Sequence, residues 1–145
     1  MTFSNSLQRN EAMKDLLTLV SAAILLGSSP VYADPFIYQC QVMSDAFIKA
    51  NGSLDVLQDS PRIGQKFTVM KKTGDVIGDV MDPLKNPKVL SAGGEKNSYK
   101  LIWVQKAAGK SGVFVDYLSI DEFAKGSMKP FGFFSGSMLL SGVCE

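Results

Sequence analysis

The sequence contains no histidine. That absence removes Ser-His-Asp and Cys-His nucleophile systems, histidine-ligated metal sites, and the side chain best suited to proton transfer near neutral pH. Cysteine is almost absent too: Cys40 and Cys144 are the two thiols in 145 residues. Neither sign of charge dominates. The 15 Lys and Arg are set against 14 Asp and Glu, interspersed along the chain with no basic stripe. Nucleic acid is therefore not an expected partner. A sustained amphipathic helical pattern, an internal repeat and a low-complexity tract are missing as well.

What is present begins with an apolar run, "LLTLVSAAILL" from Leu16 to Leu26. Its length suits the hydrophobic region of a signal peptide and falls short of a bilayer span. Lys14 precedes it. "GSSPVYA" follows, with Val31 and Ala33 in the small-residue pattern that signal peptidase reads. Residues 1–33 are expected to be a signal peptide cleaved between Ala33 and Asp34, with Met13 an alternative initiator to Met1. No cysteine follows the run, which argues against a lipid anchor, so membrane contact is expected through the cleaved leader alone. Arg9, Glu11, Lys14 and Asp15 leave with it, and the remaining chain keeps its +1 balance. Residues 34–145 are expected to form one domain, periplasmic or secreted and monomeric. In an oxidising compartment two thiols permit a single intramolecular pairing, Cys40–Cys144.

Beyond the leader, apolar residues alternate with a period of two in short segments divided by turn signals. "FIYQCQV" places Phe36, Tyr38, Cys40 and Val42 on one face. Asn51-Gly52 reads as a hairpin turn, since both residues tolerate positive φ, and Leu54 to Leu57 returns. "KFTVMKKTGDVIGDV" reads as a second hairpin with Phe67 and Val69 outbound, Thr73-Gly74 turning, and Val76 to Val80 returning. "KVLSA" is a short strand ended by Gly93-Gly94. "SYKLIWV" and "GVFVDYLSI" flank the glycine-bearing "QKAAGKSG". "DEFAKGSMKP" has room for one helical turn at Asp121 to Ala124. A long last strand is expected over about Phe131 to Cys144, with Gly132, Gly136 and Gly142 marking bends.

Cys40 lies near the start of the first strand and Cys144 at the end of the last. A disulfide needs Cα atoms roughly 4.4–6.8 Å apart. Strands leaving that bond in one direction are antiparallel neighbours, and first beside last implies a sheet closing on itself. The expected fold is all-β, a small antiparallel barrel or barrel-like sandwich of about seven or eight strands. An open two-sheet sandwich, its disulfide crossing between sheets, is the alternative.

No catalytic constellation, metal site or cofactor is expected. "GFFSGS" does not meet the nucleophile-elbow pattern G-x-S-x-G and reads as a bent strand. Asp75, Asp79 and Asp82 are too sparse for a calcium loop and read as turn and edge charges. Asp116, in "VFVDYLSI", shares a face with Phe114, Leu118 and Ile120. Either that face is solvated and Val113, Val115 and Tyr117 are core, the expectation adopted, or an acid lies among apolar groups. Adjacent Phe133 and Phe134 point to opposite sides of a strand. They are candidates for an exposed aromatic patch, which continuity with Met128 or Met138 would make a partner surface.

The layout resembles small exported bacterial proteins of unknown function with a first-strand cysteine, a hairpin like "FTVMKKTGDVIG" (Phe67 to Gly78), "KPFGFFSGS" (Lys129 to Ser137) and a closing "SGVC" (Ser141 to Cys144). That resemblance implies a fold and a compartment. A narrower likeness is to periplasmic and membrane-bound inhibitors of C-type lysozyme. These are small β-barrels with an N-terminal Y-x-C disulfide-linked to a late cysteine, and with a loop of the form S-A-S-G-x-K-Y leading to a tryptophan-bearing strand. Here the counterparts are "YQC" (Tyr38 to Cys40), "SAGGEKN" (Ser91 to Asn97) and Trp103. The family's inhibitory serine and tyrosine fall on Gly93 and Asn97, with Tyr99 two residues late. The likeness implies a partner-binding loop containing Ser91, Gly93, Gly94, Lys96 and Tyr99.

The expected function is that of an exported, non-catalytic binding or interaction module, its partner an envelope or extracellular protein or a small ligand. The alternatives are an inhibitor of a lysozyme-like cell-wall hydrolase and a small hydrolase using paired carboxylates.

Overall fold

The computed structural model describes residues 34–81, 83–106 and 112–145. The expected leader, the position of Asp82 and the centre of the "QKAAGKSG" loop lie outside the described residues. Among the described residues there is no helix, and the strands are β1 (Ile37–Ile48), β2 (Leu54–Leu57), β3 (Lys66–Met70), β4 (Val76–Ile77), β5 (Lys88–Gly94), β6 (Asn97–Lys106), β7 (Val113–Ile120), β8 (Lys129–Ser135) and β9 (Met138–Cys144).

They pair antiparallel in one sheet, in the order β4-β3-β1-β9-β8-β7-β6-β5. The first half of β1 pairs with β3 and its second half with β2. Its other side pairs with β9, where Cys40 stands opposite Cys144 and the two are disulfide-bonded. Gln39 and Glu145 exchange both backbone hydrogen bonds beside them, at 3.0 and 2.9 Å. The cysteines therefore occupy a non-hydrogen-bonded pair, the position where opposed side chains come closest.

Closure differs from a fully laddered barrel. The β1–β9 pair lies mid-sheet, and the two edges, β4 and β5, are not paired to each other. The sheet instead curls into a half-barrel whose flanks meet through side chains. Tyr99 on β6 donates its hydroxyl to the Lys71 carbonyl at 3.1 Å, and its ring centroid is 5.2 Å from that of Tyr38 on β1. Gly74, in the turn between β3 and β4, has φ +79°. A Cβ there would lie 2.6 Å from Leu101 Cδ2, so glycine lets the turn rest against the far side of the sheet.

The register sets inward-facing rows across the strands. Tyr99, Ile120, Phe131, Gly142 and Val42 form one; Leu101, Leu118, Phe133, Leu140 and Asp45 form the next. The apolar members of these rows make up much of the buried core. β1 changes phase where it crosses them: a bulge between Val42 and Ser44 leaves Met43 unpaired, so inward positions are even-numbered before it and odd-numbered after. Gly142 faces this bulge. A Cβ on it would fall on the Gln41 carbonyl oxygen and lie 2.7 Å from Phe131 Cε1.

Several boundaries differ from the sequence reading. The expected long last strand is a hairpin, β8 and β9, turning at Gly136-Ser137 with Gly136 at φ +58°. Apolar residues alternate on both sides of that turn in opposite phase, Phe131 and Phe133 facing inward before it and Met138 and Leu140 after it. β1 begins at Ile37 and leaves Phe36 72% exposed rather than in the inward set. The return to Val80 stops pairing at Ile77. β5 runs through Gly93-Gly94, and Asp121 to Ala124 is a turn rather than a helical one.

Candidate functional site

Past the core rows, the next inward row is Trp103, Asp116, Ser135, Met138 and Phe47, at one end of the half-barrel. Gln105 and Phe114, opposite one another, form the rim beyond it. The segment after β4 lies across this end. Met81 is 1% exposed and joins the core, and the Leu84 N–H donates to the Met81 carbonyl at 3.0 Å. Between that segment and the β7–β8–β9 surface is an open cleft of about 510 Å³, walled by Val80, Met81, Leu84, Phe133 and Met138. Small-ligand sites are typically concave, mostly apolar and roughly 300–1,000 Å³, with a few placed polar groups.

The placed polar group is Asp116. It lines the cleft, is 6% exposed, and has no hydrogen-bond or ion-pair partner among the described residues. This corrects the face adopted for β7. Leu118 and Ile120 are fully buried, whereas Val113 and Val115 are 56% and 52% exposed. Both faces of that strand carry apolar residues, so alternation did not distinguish them; the pairing of Asp116 with inward Trp103 does. Trp103 has no exposure and meets Phe133 edge-on at 6.2 Å. Its indole N–H also lacks a partner among the described residues. Leaving a buried donor or acceptor unpaired costs about 1–3 kcal/mol, and such groups are few in native interiors.

Two other polar clusters pair their charged groups internally. Near the opposite end, Tyr38 donates to Glu122 Oε1, and Lys71 Nζ lies 3.4 Å from the same oxygen and 4.1 Å from the Tyr38 ring centroid. Burial, then the Glu122 hydrogen bond, pushes the Tyr38 hydroxyl well above the usual phenol range. Burial, then the charges of Asp75 and Glu122, pushes Tyr99 up to about 12. On the flank of β1, fully buried Asp45 accepts on Oδ2 from the Ser60 hydroxyl and from Arg62 Nε at 2.8 Å, while its Oδ1 has no partner among the described residues. The Arg62 guanidinium also sits 5.5 Å from the Phe47 ring centroid. Neither Asp45 nor its partners stood out in the sequence, because the phase change at Met43 is what turns Asp45 inward.

The residues singled out from sequence are dispersed. Ser91 to Tyr99 spans a β5–β6 hairpin with a two-residue tip, Glu95-Lys96. Ser91 donates its hydroxyl to the Ser98 carbonyl at 2.9 Å, Gly93 abuts the Glu122 carboxylate, and Gly94 pairs with Asn97. Lys96 is exposed, while Tyr99 is wholly buried and offers nothing to a partner. Phe133 is a cleft wall and Phe134, 45% exposed, is on the convex face. Phe134 aligns there with Ile102, Tyr117, Leu139, Ala46 and Val56, and not with Met138, which faces the cleft. Asp75 and Asp79 are exposed and outside the cleft. Among the described residues no three His, Cys, Asp or Glu side chains gather as a metal site.

No family model, curated protein or solved structure matches this chain. Its chemistry is therefore read from the cleft alone. Hydrolysis by paired carboxylates needs a second acid roughly 5–9.5 Å from the first, and Asp116 is the one acid among the described residues lining the cleft. An acid at the base of a largely apolar recess is suited to recognition: the walls remove apolar surface from water and the carboxylate fixes orientation.

Proposed function

We propose that this protein is a small exported binding module and that the cleft at the Asp116 end of the half-barrel is where it takes a small ligand. The observation that carries this reading is the cleft itself, about 510 Å³, open and walled mainly by apolar side chains of a disulfide-stapled domain. The Cys40–Cys144 bond fits an oxidising compartment, and the Leu16–Leu26 run followed by Val31 and Ala33 supports export with cleavage before Asp34. A rigid sheet holding the walls while one end stays open is the arrangement expected of a binder, because little order is lost when the ligand enters.

The test is a thermal-shift screen of the oxidised protein against small amphipathic compounds, beside a Met138→Trp variant that fills the cleft. Compounds that bind are expected to raise the melting temperature of the parent and to lose that effect in the variant. A screen without hits, or hits that the filled variant retains, overturns the reading.

A further inference from the structure

Resting on the assignment of the cleft as the ligand site, we infer that its ligand is an organic cation: an ammonium or amidinium head on an apolar body, with Asp116 as its counter-ion. The cleft leaves one strong acceptor unanswered. Asp116 is 6% exposed, projects from the inward face of β7 into the recess, and meets no donor among the described residues. Asp45 provides the contrast within the same sheet, being equally inward but ion-paired through Oδ2 with Arg62 and bonded there to Ser60, with only its Oδ1 unpartnered among the described residues. The sheet thus supplies an internal cation to one buried acid and leaves the other facing open space. A charged group taken out of water is costly unless paired, and with no described residue supplying the partner, an external cation fits the position.

The surroundings select the kind of cation. A divalent metal ion demands several oxygen ligands, and the described lining offers one carboxylate, the Ser135 hydroxyl and the Gln105 amide at the rim, with mainly apolar walls elsewhere. Phe133, Met81 and Met138 suit an apolar body instead. Sulfur and ring faces are also polarizable surfaces that tolerate an adjacent positive charge. The ligand's head reaches Asp116 and Ser135 while its body lies along the methionines and Phe133. An anionic ligand is disfavoured by the same acid.

Trp103 is the single tryptophan of the chain and touches Phe133, a wall of the cleft, so its fluorescence reports occupancy. Titrating the oxidised protein with hexylammonium, 1-hexanol and hexanoate separates charge from apolar contact. Hexylammonium is expected to saturate the signal at a concentration at least tenfold below that of hexanol, with hexanoate weakest. In Asp116→Asn the preference for hexylammonium over hexanol is expected to vanish while hexanol binding persists. Equal binding of hexylammonium and hexanol to the parent overturns the charge assignment and leaves the cleft reading standing. Absence of binding by all three probes overturns both. The three-probe comparison on the parent decides the matter even where Asp116→Asn fails to fold.

Discussion

Tyr99 has an ionisable group whose surroundings act on the stability of the whole protein. Its hydroxyl is pushed up to about 12, by burial first and then by the charges of Asp75 and Glu122, whereas a tyrosine in the unfolded chain titrates near 10. Tyr38 moves in the same direction, by burial first and then by its bond to Glu122. The folded state therefore keeps protons that the unfolded state releases. This contribution is complete below about pH 10 and drains as the pH rises through about 12, a loss on the order of 3 kcal/mol for Tyr99. The melting temperature is expected to hold steady from neutral to mildly alkaline pH and then fall steeply. Tyr99→Phe is expected to start lower, having lost the hydroxyl's bond to Lys71, and to show a shallower alkaline limb. A parallel limb in parent and variant, read by circular dichroism, would refute this.

The strands show how a single residue redirects an element. β1 can serve two partners on one side and β9 on the other because the bulge at Met43 restores the inward phase after Val42. Gly142 is the residue that permits the close approach of β9 to that bulge. Gly142→Ala is expected to cost about 3 kcal/mol, as overpacked sites do, because the Gln41 backbone would have to move. Gly132→Ala, where the nearest atom to an added Cβ is Phe134 Cε2 at 4.0 Å, is expected to stay within about 1 kcal/mol. Thermal unfolding of the two variants tests the contrast. Part of this level was legible in the sequence: alternation located the flanks of most hairpins, and Asn51-Gly52 and Thr73-Gly74 marked turns. The split of the last strand was not legible, since apolar residues alternate on both sides of Gly136. The orientation of β7 was equally hidden, because Val113 and Val115 are as apolar as Leu118 and Ile120, and burial depends on which part of the strand the sheet covers.

For the whole molecule, the bond between Cys40 and Cys144 ties the first and last strands of the described residues across 104 residues. In the loop-entropy account such a link is worth up to about 4.7 kcal/mol, a large share of the stability of a domain this size. Reduction, or replacement of both cysteines by alanine, is expected to lower the urea midpoint strongly. Trp103 fluorescence is a suitable readout, because that ring is wholly buried in the native state. An unchanged midpoint would show that the side-chain closure around Tyr38, Lys71, Tyr99 and Gly74 holds the half-barrel without the bond.

Taken alone, the sequence determined the all-β class, the pairing of its two cysteines and hence the contact between first and last strands, because period-two alternation and a two-thiol inventory are local or combinatorial properties. The tertiary structure alone decided that the sheet stops at a half-barrel, that Asp45 meets Arg62, and that Asp116 shares a recess with Met81, Ser135 and Met138. Those outcomes depend on register, on one bulged residue and on how far the sheet curls, and each is fixed by contacts between residues distant along the chain.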